Sequence, residues 1–292
     1  MKKLLTLLAA LIVIFMIFGC SETPQVTDPM DISSLGALVQ RPEYIETRPP
    51  EVVSQFVMEP SPDLSFKKPP KPPPDTGDNE DPNPDPAHKY AYVVGISDYE
   101  GTVNDLQYCD DDAREMRTML QGEGFTVQMD LDRSATADNI VAGLNWLVSS
   151  AQPGDEIAFC YSGHGMKAQG YGSSIISTDL YYITHGYVMQ IFNSANCTKK
   201  LVTLDACVIG DFLSDGESGT IVATASRNSS SYDAPDLQNG AWTYYFLEGA
   251  GSLIFAEDVA SYAEDGMKAW AQPYHLRVTP SHNDKYTGMF DI

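Results

Sequence analysis

The chain has 292 residues, 43% of them hydrophobic, with 18 Lys plus Arg against 40 Asp plus Glu. That provides for one domain of ordinary size plus extra segments and excludes a wholly disordered protein, while a formal charge of -22 repels phosphate backbones and argues against nucleic acid as a partner. Five cysteines, odd in number and without a Cys-x-x-Cys pair, fit neither a disulfide scaffold nor a zinc ribbon.

Lys2 and Lys3 precede an apolar stretch over 4–18 that is too short for a membrane span and has the pattern of a secretory signal. Ile17-Phe18-Gly19-Cys20 resembles a prokaryotic lipobox. On that resemblance residues 1–19 are a signal peptide and Cys20 is the lipidated first residue of the mature chain, exported and anchored to the extracytoplasmic face of a cell-envelope membrane. The alternative is an uncleaved N-terminal helix with an incidental cysteine. Residues 20–88 then form a lipidated, Pro-rich disordered stalk. Fifteen of the 19 prolines lie in 21–88, a density that prevents helices and central strands and favours extended polyproline conformations. The apolar patch at 52–58 is open to packing back on the domain as a prosegment.

Residues 89–292 read as the folded domain. A buried strand is expected at 90–96, a helix at 110–120 with Ala113, Met116, Met119 and Leu120 at helical spacing, and a strand at 126–131. A helix follows at 136–148, a strand at 156–161, a helix capped by Thr184 through Phe192, and strands at 200–204 and 220–224. Later helices are expected at 242–248 and 256–270. Alternating strand and helix implies an α/β/α sandwich around a mainly parallel sheet.

In such sheets reactive groups gather at the carboxyl ends of the strands. The strand at 156–161 runs into Ser162-Gly163-His164-Gly165, and the strand at 200–204 runs into Asp205-Ala206-Cys207. If those strands are neighbours, an imidazole and a thiol share one cleft, the pairing a thiol needs to act as a nucleophile near neutral pH. Glycine on both sides of His164 permits close approach, and the amides of Gly165 and Cys207 are candidate oxyanion donors. Taken alone, Cys207 reads as a buried structural thiol; the paired motifs favour the catalytic reading. His185, His275 and His282 read as surface residues, and Cys160 and Cys197 as packing thiols, with a disulfide between two of the four cysteines of the domain open in an exported chain.

These two motifs resemble the dyad of caspase-like cysteine peptidases over about 89–249, and Cys109-Asp110-Asp111-Asp112-Ala113 resembles the specificity-pocket segment of the metacaspase branch. The resemblance implies a caspase-like α/β/α fold, His164 as proton acceptor and donor, and Cys207 as nucleophile. It also implies an anionic socket of Cys109, Asp112, Ser162 and Asp205 for Arg or Lys before the cut, in a peptide or protein substrate. Two departures stand out. Val208-Ile209-Gly210 follows the nucleophile where His-Ser-Gly is frequent, and 166–178 has no Asp or Glu to supply the calcium ligands of many relatives. No metal and no cofactor are therefore expected. Arg227 is the better candidate for self-processing, since Lys199 and Lys200 border a core strand. The competing class is a latent or inactive caspase-like module that binds envelope proteins as a scaffold.

Overall fold

The computed structural model describes residues 43–60 and 86–292. In chain order these form α1 (Pro50–Val53), β1 (Val57–Met58), β2 (Lys89–Gly95), α2 (Cys109–Gly122), β3 (Phe125–Leu131), α3 (Ala137–Ser150), β4 (Glu156–Ser162), β5 (Gly165–Ala168), β6 (Gly172–Ile176) and β7 (Tyr182–Thr184). There follow α4 (His185–Asn193), β8 (Lys199–Asp205), α5 (Phe212–Asp215), β9 (Thr220–Thr224), β10 (Asp233–Ala234), β11 (Asn239–Gly240), α6 (Ala241–Ala250), α7 (Ala256–Ala271) and β12 (Ser281–Asp284).

The main sheet has the order β12-β9-β8-β4-β2-β3, with all neighbours parallel except the edge strand β12. Its central strands are apolar because both faces are covered: every residue of β4 and β8 is buried. Alternate residues point to opposite cores. Tyr92, Phe159, Val202 and Leu204 face a cluster with Ile140 and Leu144 of α3 and Phe192 of α4. Ala91, Val93, Ala158 and Leu201 face a second cluster with Met116 of α2, Trp242 of α6 and Met267 of α7. The result is the expected three-layer α/β/α sandwich. Two glycines let the layers meet, since a Cβ on Gly95 would lie 2.3 Å from the Cys109 carbonyl and one on Gly143 would lie 2.1 Å from the Tyr92 ring.

The helices and strands expected from periodicity are present, with ends within three residues. Thr184 caps α4 as expected, its hydroxyl accepting from the Tyr187 N–H at 3.3 Å. The small sheet β1-β7-β6-β5 and the edge strand β12 had no sequence signal. Ser281-His282-Asn283-Asp284 is polar throughout, and its place on the sheet comes from pairing with β9. His185 and His282, expected at the surface, are half-buried in ion pairs with Asp215 and Glu264, each at 2.6 to 2.7 Å. The stalk expectation also changes. Residues 43–60 lie on the domain, with β1 adding in parallel to β7 and the Arg48 guanidinium donating to the Leu180 carbonyl at 2.7 Å. Cys20 lies outside the described residues.

Candidate active site

The sheet register brings the two motifs together. Ser162 at the end of β4 is paired with Asp205 at the end of β8, so His164 and Cys207 each stand two residues beyond the same rung. Both are buried. The Gly163 N–H donates across this junction to the Asp205 carbonyl at 3.2 Å, and a Cβ on Gly165 would lie 2.3 Å from the Cys207 carbonyl. The close approach expected of the flanking glycines is thus realised at Gly165 against the cysteine turn itself.

His164 is oriented on three sides. Its Nε2 lies 2.8 Å from the Asn104 carbonyl, which can only accept, so Nε2 carries a proton and a neutral ring keeps Nδ1 as its base. Its backbone N–H donates to the Tyr99 hydroxyl at 2.8 Å, and the Tyr99 and Tyr44 rings pack against the imidazole with centroids at 4.8 and 5.7 Å. Asn104 in turn ties down the N-terminal segment: its side-chain oxygen accepts from the Ile45 N–H at 2.8 Å and its amide donates to the Ile45 carbonyl at 3.2 Å. Cys207 receives the Ser231 N–H at its sulfur, at 3.2 Å. A donor aimed at sulfur is strongest toward a thiolate.

The two acids expected in the pocket sit on the face of the sheet covered by α2 and α6. Asp112 accepts from Ser162 Oγ at 2.6 Å, from the Gly240 N–H at 2.8 Å and from the Asn239 amide at 3.2 Å. Asp205 accepts from Ser231 Oγ and, at 3.1 and 2.9 Å, from the N–H and hydroxyl of Thr243. Both carboxyl groups are buried and accept several hydrogen bonds each. The cavity between them, lined also by Cys160 and Thr203, has about 10 Å³, room for one water. Cys109 is buried at the first position of α2 beside Tyr99, and the residues that line the cavity do not include it. Three of the four expected pocket residues, Asp112, Ser162 and Asp205, therefore line one cavity. Burial raises the Cys197 thiol to about 12 and raises Cys160 still further, as packing cysteines require.

Asn104, Tyr99, Ser231 and Thr243 were not singled out from sequence. Asn104 and Ser231 touch His164 and Cys207 through main-chain atoms, which any residue type supplies. Thr243 had a detectable signal, a β-branched hydroxyl residue in the first turn of α6 after Gly240. Among the described residues no group of His, Cys, Asp and Glu has the arrangement of a metal site.

A mainly parallel sheet between helical layers, with a histidine and a cysteine at the carboxyl ends of neighbouring strands, defines the caspase-like class of α/β proteins. The family model described as Caspase domain matches residues 88–274, and the chain belongs to that family. It is similar to metacaspase-1 of Mycosarcoma maydis, 36% identical over 106 residues, a match covering 30% of this chain and 26% of the relative. It is similar to metacaspase-2 of Arabidopsis thaliana, 35% identical over 154 residues, covering 44% of this chain and 36% of the relative. The chain thus spans about a quarter to a third of the length of these relatives. A crystal structure of a Geobacter sulfurreducens protein shares the fold at 14% identity, with a TM-score of 0.53 over 68% of this chain and 94% of that one.

Proposed function

We propose that the chain is a cysteine endopeptidase in which His164 and Cys207 are the dyad and the amides of Gly165 and Cys207 bind the oxyanion. The carrying observation is that Nε2 of His164 is committed to the Asn104 carbonyl, which leaves Nδ1 to take the Cys207 proton. The sulfur attacks the scissile carbonyl, and its oxygen becomes an oxyanion held by N–H donors. Collapse breaks the C–N bond, the amine leaves with the proton from Nδ1, and a thioester remains. Water then gives a proton to Nδ1, its oxygen attacks the thioester carbon, and the thiolate departs.

Cleavage after Arg or Lys is the proposed specificity, supported by two buried carboxyl groups lining one small cavity. A guanidinium meeting them gains charge-assisted hydrogen bonds, whereas an aspartate side chain meets repulsion. Residues 231–243 supply five hydrogen bonds to the carboxylates, so a basic side chain entering between them displaces part of that segment. Export and anchoring through Cys20 belong to the same proposal, and palmitate labelling lost in Cys20→Ala is their check.

A second reading, a latent module, is favoured by one observation: Tyr44 packs on His164 and both are buried. Fluorogenic peptides ending in Arg, Lys or Asp, offered to the full chain and to Cys207→Ala with calcium added or chelated, decide between them. Turnover after Arg or Lys that vanishes in the variant, whatever the calcium, is expected. Turnover after Asp overturns the specificity. A folded chain that turns over no peptide, yet whose Cys207 alkylates readily, points to the latent module.

A further inference from the structure

Gly165 and Cys207 lie in separate segments, a hairpin strand and a turn, and their amides must keep a fixed separation to serve one oxyanion. One buried side chain joins the two segments. Ser173, in β6, donates its hydroxyl to the Val208 carbonyl at 2.6 Å. The Ser173 N–H donates to Asp211 Oδ2 at 2.8 Å, and the Asp211 N–H returns to Ser173 Oγ at 3.3 Å. Ser173 Oγ also lies 3.1 Å from Asp211 Oδ2, so the single hydroxyl proton favours the nearer carbonyl. Across the hairpin Ser173 is paired with Lys167, while Gly165 is paired with Ile175 on the same two strands.

The turn needs such a restraint. Val208 has φ 48, a left-handed conformation that a β-branched residue rarely adopts. Its N–H donates to the Ser229 carbonyl at 3.0 Å, and the next N–H, of Ile209, donates to the Ser226 carbonyl at 3.0 Å. Together with Ser173 these bonds hold the peptide planes on both sides of Val208. Removing one lets Val208 relax toward an ordinary φ and rotates the peptide between Cys207 and Val208, whose carbonyl is the group Gly165 abuts. Asp211 is itself located by its surroundings: Lys167 Nζ is 3.7 Å away, and a Cβ on Gly172 would strike both Asp211 Oδ2 and His185 Nε2, at 2.8 and 2.7 Å.

We infer that Ser173 and Asp211 are positioning residues for the proposed peptide cleavage, tying the strand that carries Gly165 to the turn that carries Cys207. The inference rests on the cysteine-peptidase reading and adds to it two residues that act through Val208.

The test uses the full chain and compares Ser173→Ala, Asp211→Ala, the double variant and Asp211→Asn. Ser173→Ala and Asp211→Ala are expected to lower kcat about tenfold or more with KM within about twofold, because a misaligned oxyanion donor acts on the transition state. The double variant falls no further than the worse single, as expected of one coupled unit. Asp211→Asn, whose amide oxygen still accepts from the Ser173 N–H, keeps most of the wild-type kcat. Alkylation of Cys207 by iodoacetamide, which attacks a saturated carbon and forms no oxyanion, stays within about twofold of wild type in every variant. An unchanged kcat in Ser173→Ala overturns the inference while leaving the peptidase reading intact. So does a parallel loss of turnover and alkylation, which places the damage at the thiol. A wild-type chain without Cys207-dependent turnover removes the reading and this inference with it.

Discussion

At residue scale, the difference between what was readable and what was not follows from which atoms do the work. His164 and Cys207 were legible because each follows an apolar strand that both cores must cover, so side-chain identity and strand pattern point to the same place. Asn104 was not, because its carbonyl accepts from His164 and a carbonyl carries no residue-type signature. Asp112 was legible among three consecutive acids by resemblance, and the structure supplies the physical reason to separate it from Asp110 and Asp111. Asp112 is buried with Ser162, Asn239 and Gly240, while Asp110 and Asp111 pair with Arg114 at the surface. Asp112→Asn should therefore act on specificity and leave the nucleophile alone. Loss of one buried, hydrogen-bonded charge is expected to lower kcat/KM for Arg peptides on the order of a hundredfold. Cys207 alkylation should change by less than about threefold, and near-UV circular dichroism should show the fold retained. An undiminished preference for Arg would remove Asp112 from the socket.

The element least legible in sequence is the segment 43–60. Its prolines favour extended chain, and extended chain serves equally as a free stalk or as a docked strap; the difference lies in a few contacts made far away in sequence. Two residues of β1 pair with β7, Thr184 Oγ1 donates to the Met58 carbonyl at 2.9 Å, and Arg48 lies 4.2 Å over the Phe56 ring, which itself packs on Tyr181 at 4.8 Å. Tyr44 is buried enough that its hydroxyl is raised to about 12, with desolvation the main cause and Glu46 adding to it. It stays protonated and donates to Glu46 at 3.3 Å. Tyr44→Ala removes one wall of the His164 site without touching the histidine. Modification of His164 by diethylpyrocarbonate at pH 7 is expected to accelerate severalfold, with a loss of stability of about 2–4 kcal/mol from the emptied aromatic position. An unchanged modification rate, measured by mass spectrometry of the peptide containing His164, would show that the strap does not cover the imidazole in solution.

Across the whole molecule, the carboxyl ends of the strands carry the proposed dyad and the amino ends carry a rung of two lysines around a buried glutamate. Lys89, Glu156 and Lys199 are aligned on β2, β4 and β8, with each lysine 3.5 Å from Glu156 and Lys199 also paired with Asp291 of the C-terminal tail. From the sequence Lys199 reads as the border of a core strand, and the acid that accompanies it is visible only in the sheet register. Burial raises the Glu156 carboxyl to about 7; Lys199 and Lys89 oppose the rise, and Asp291 adds to it. The folded chain therefore binds a proton over a range where the unfolded chain has released it. This contribution is full below the ordinary glutamate value of about 4.3 and is lost as pH rises through the folded value. Its size is on the order of 3 kcal/mol, from a shift of between two and three pH units. Urea unfolding of wild type and Glu156→Gln between pH 5 and 8 isolates it, because the general repulsion of a chain carrying a formal charge of -22 weakens both proteins alike. Wild type should lose stability relative to Glu156→Gln as pH rises, with the difference levelling above pH 7. Parallel pH profiles would mean that the two lysines hold Glu156 ionised throughout, and that the rung acts as an ordinary paired cluster.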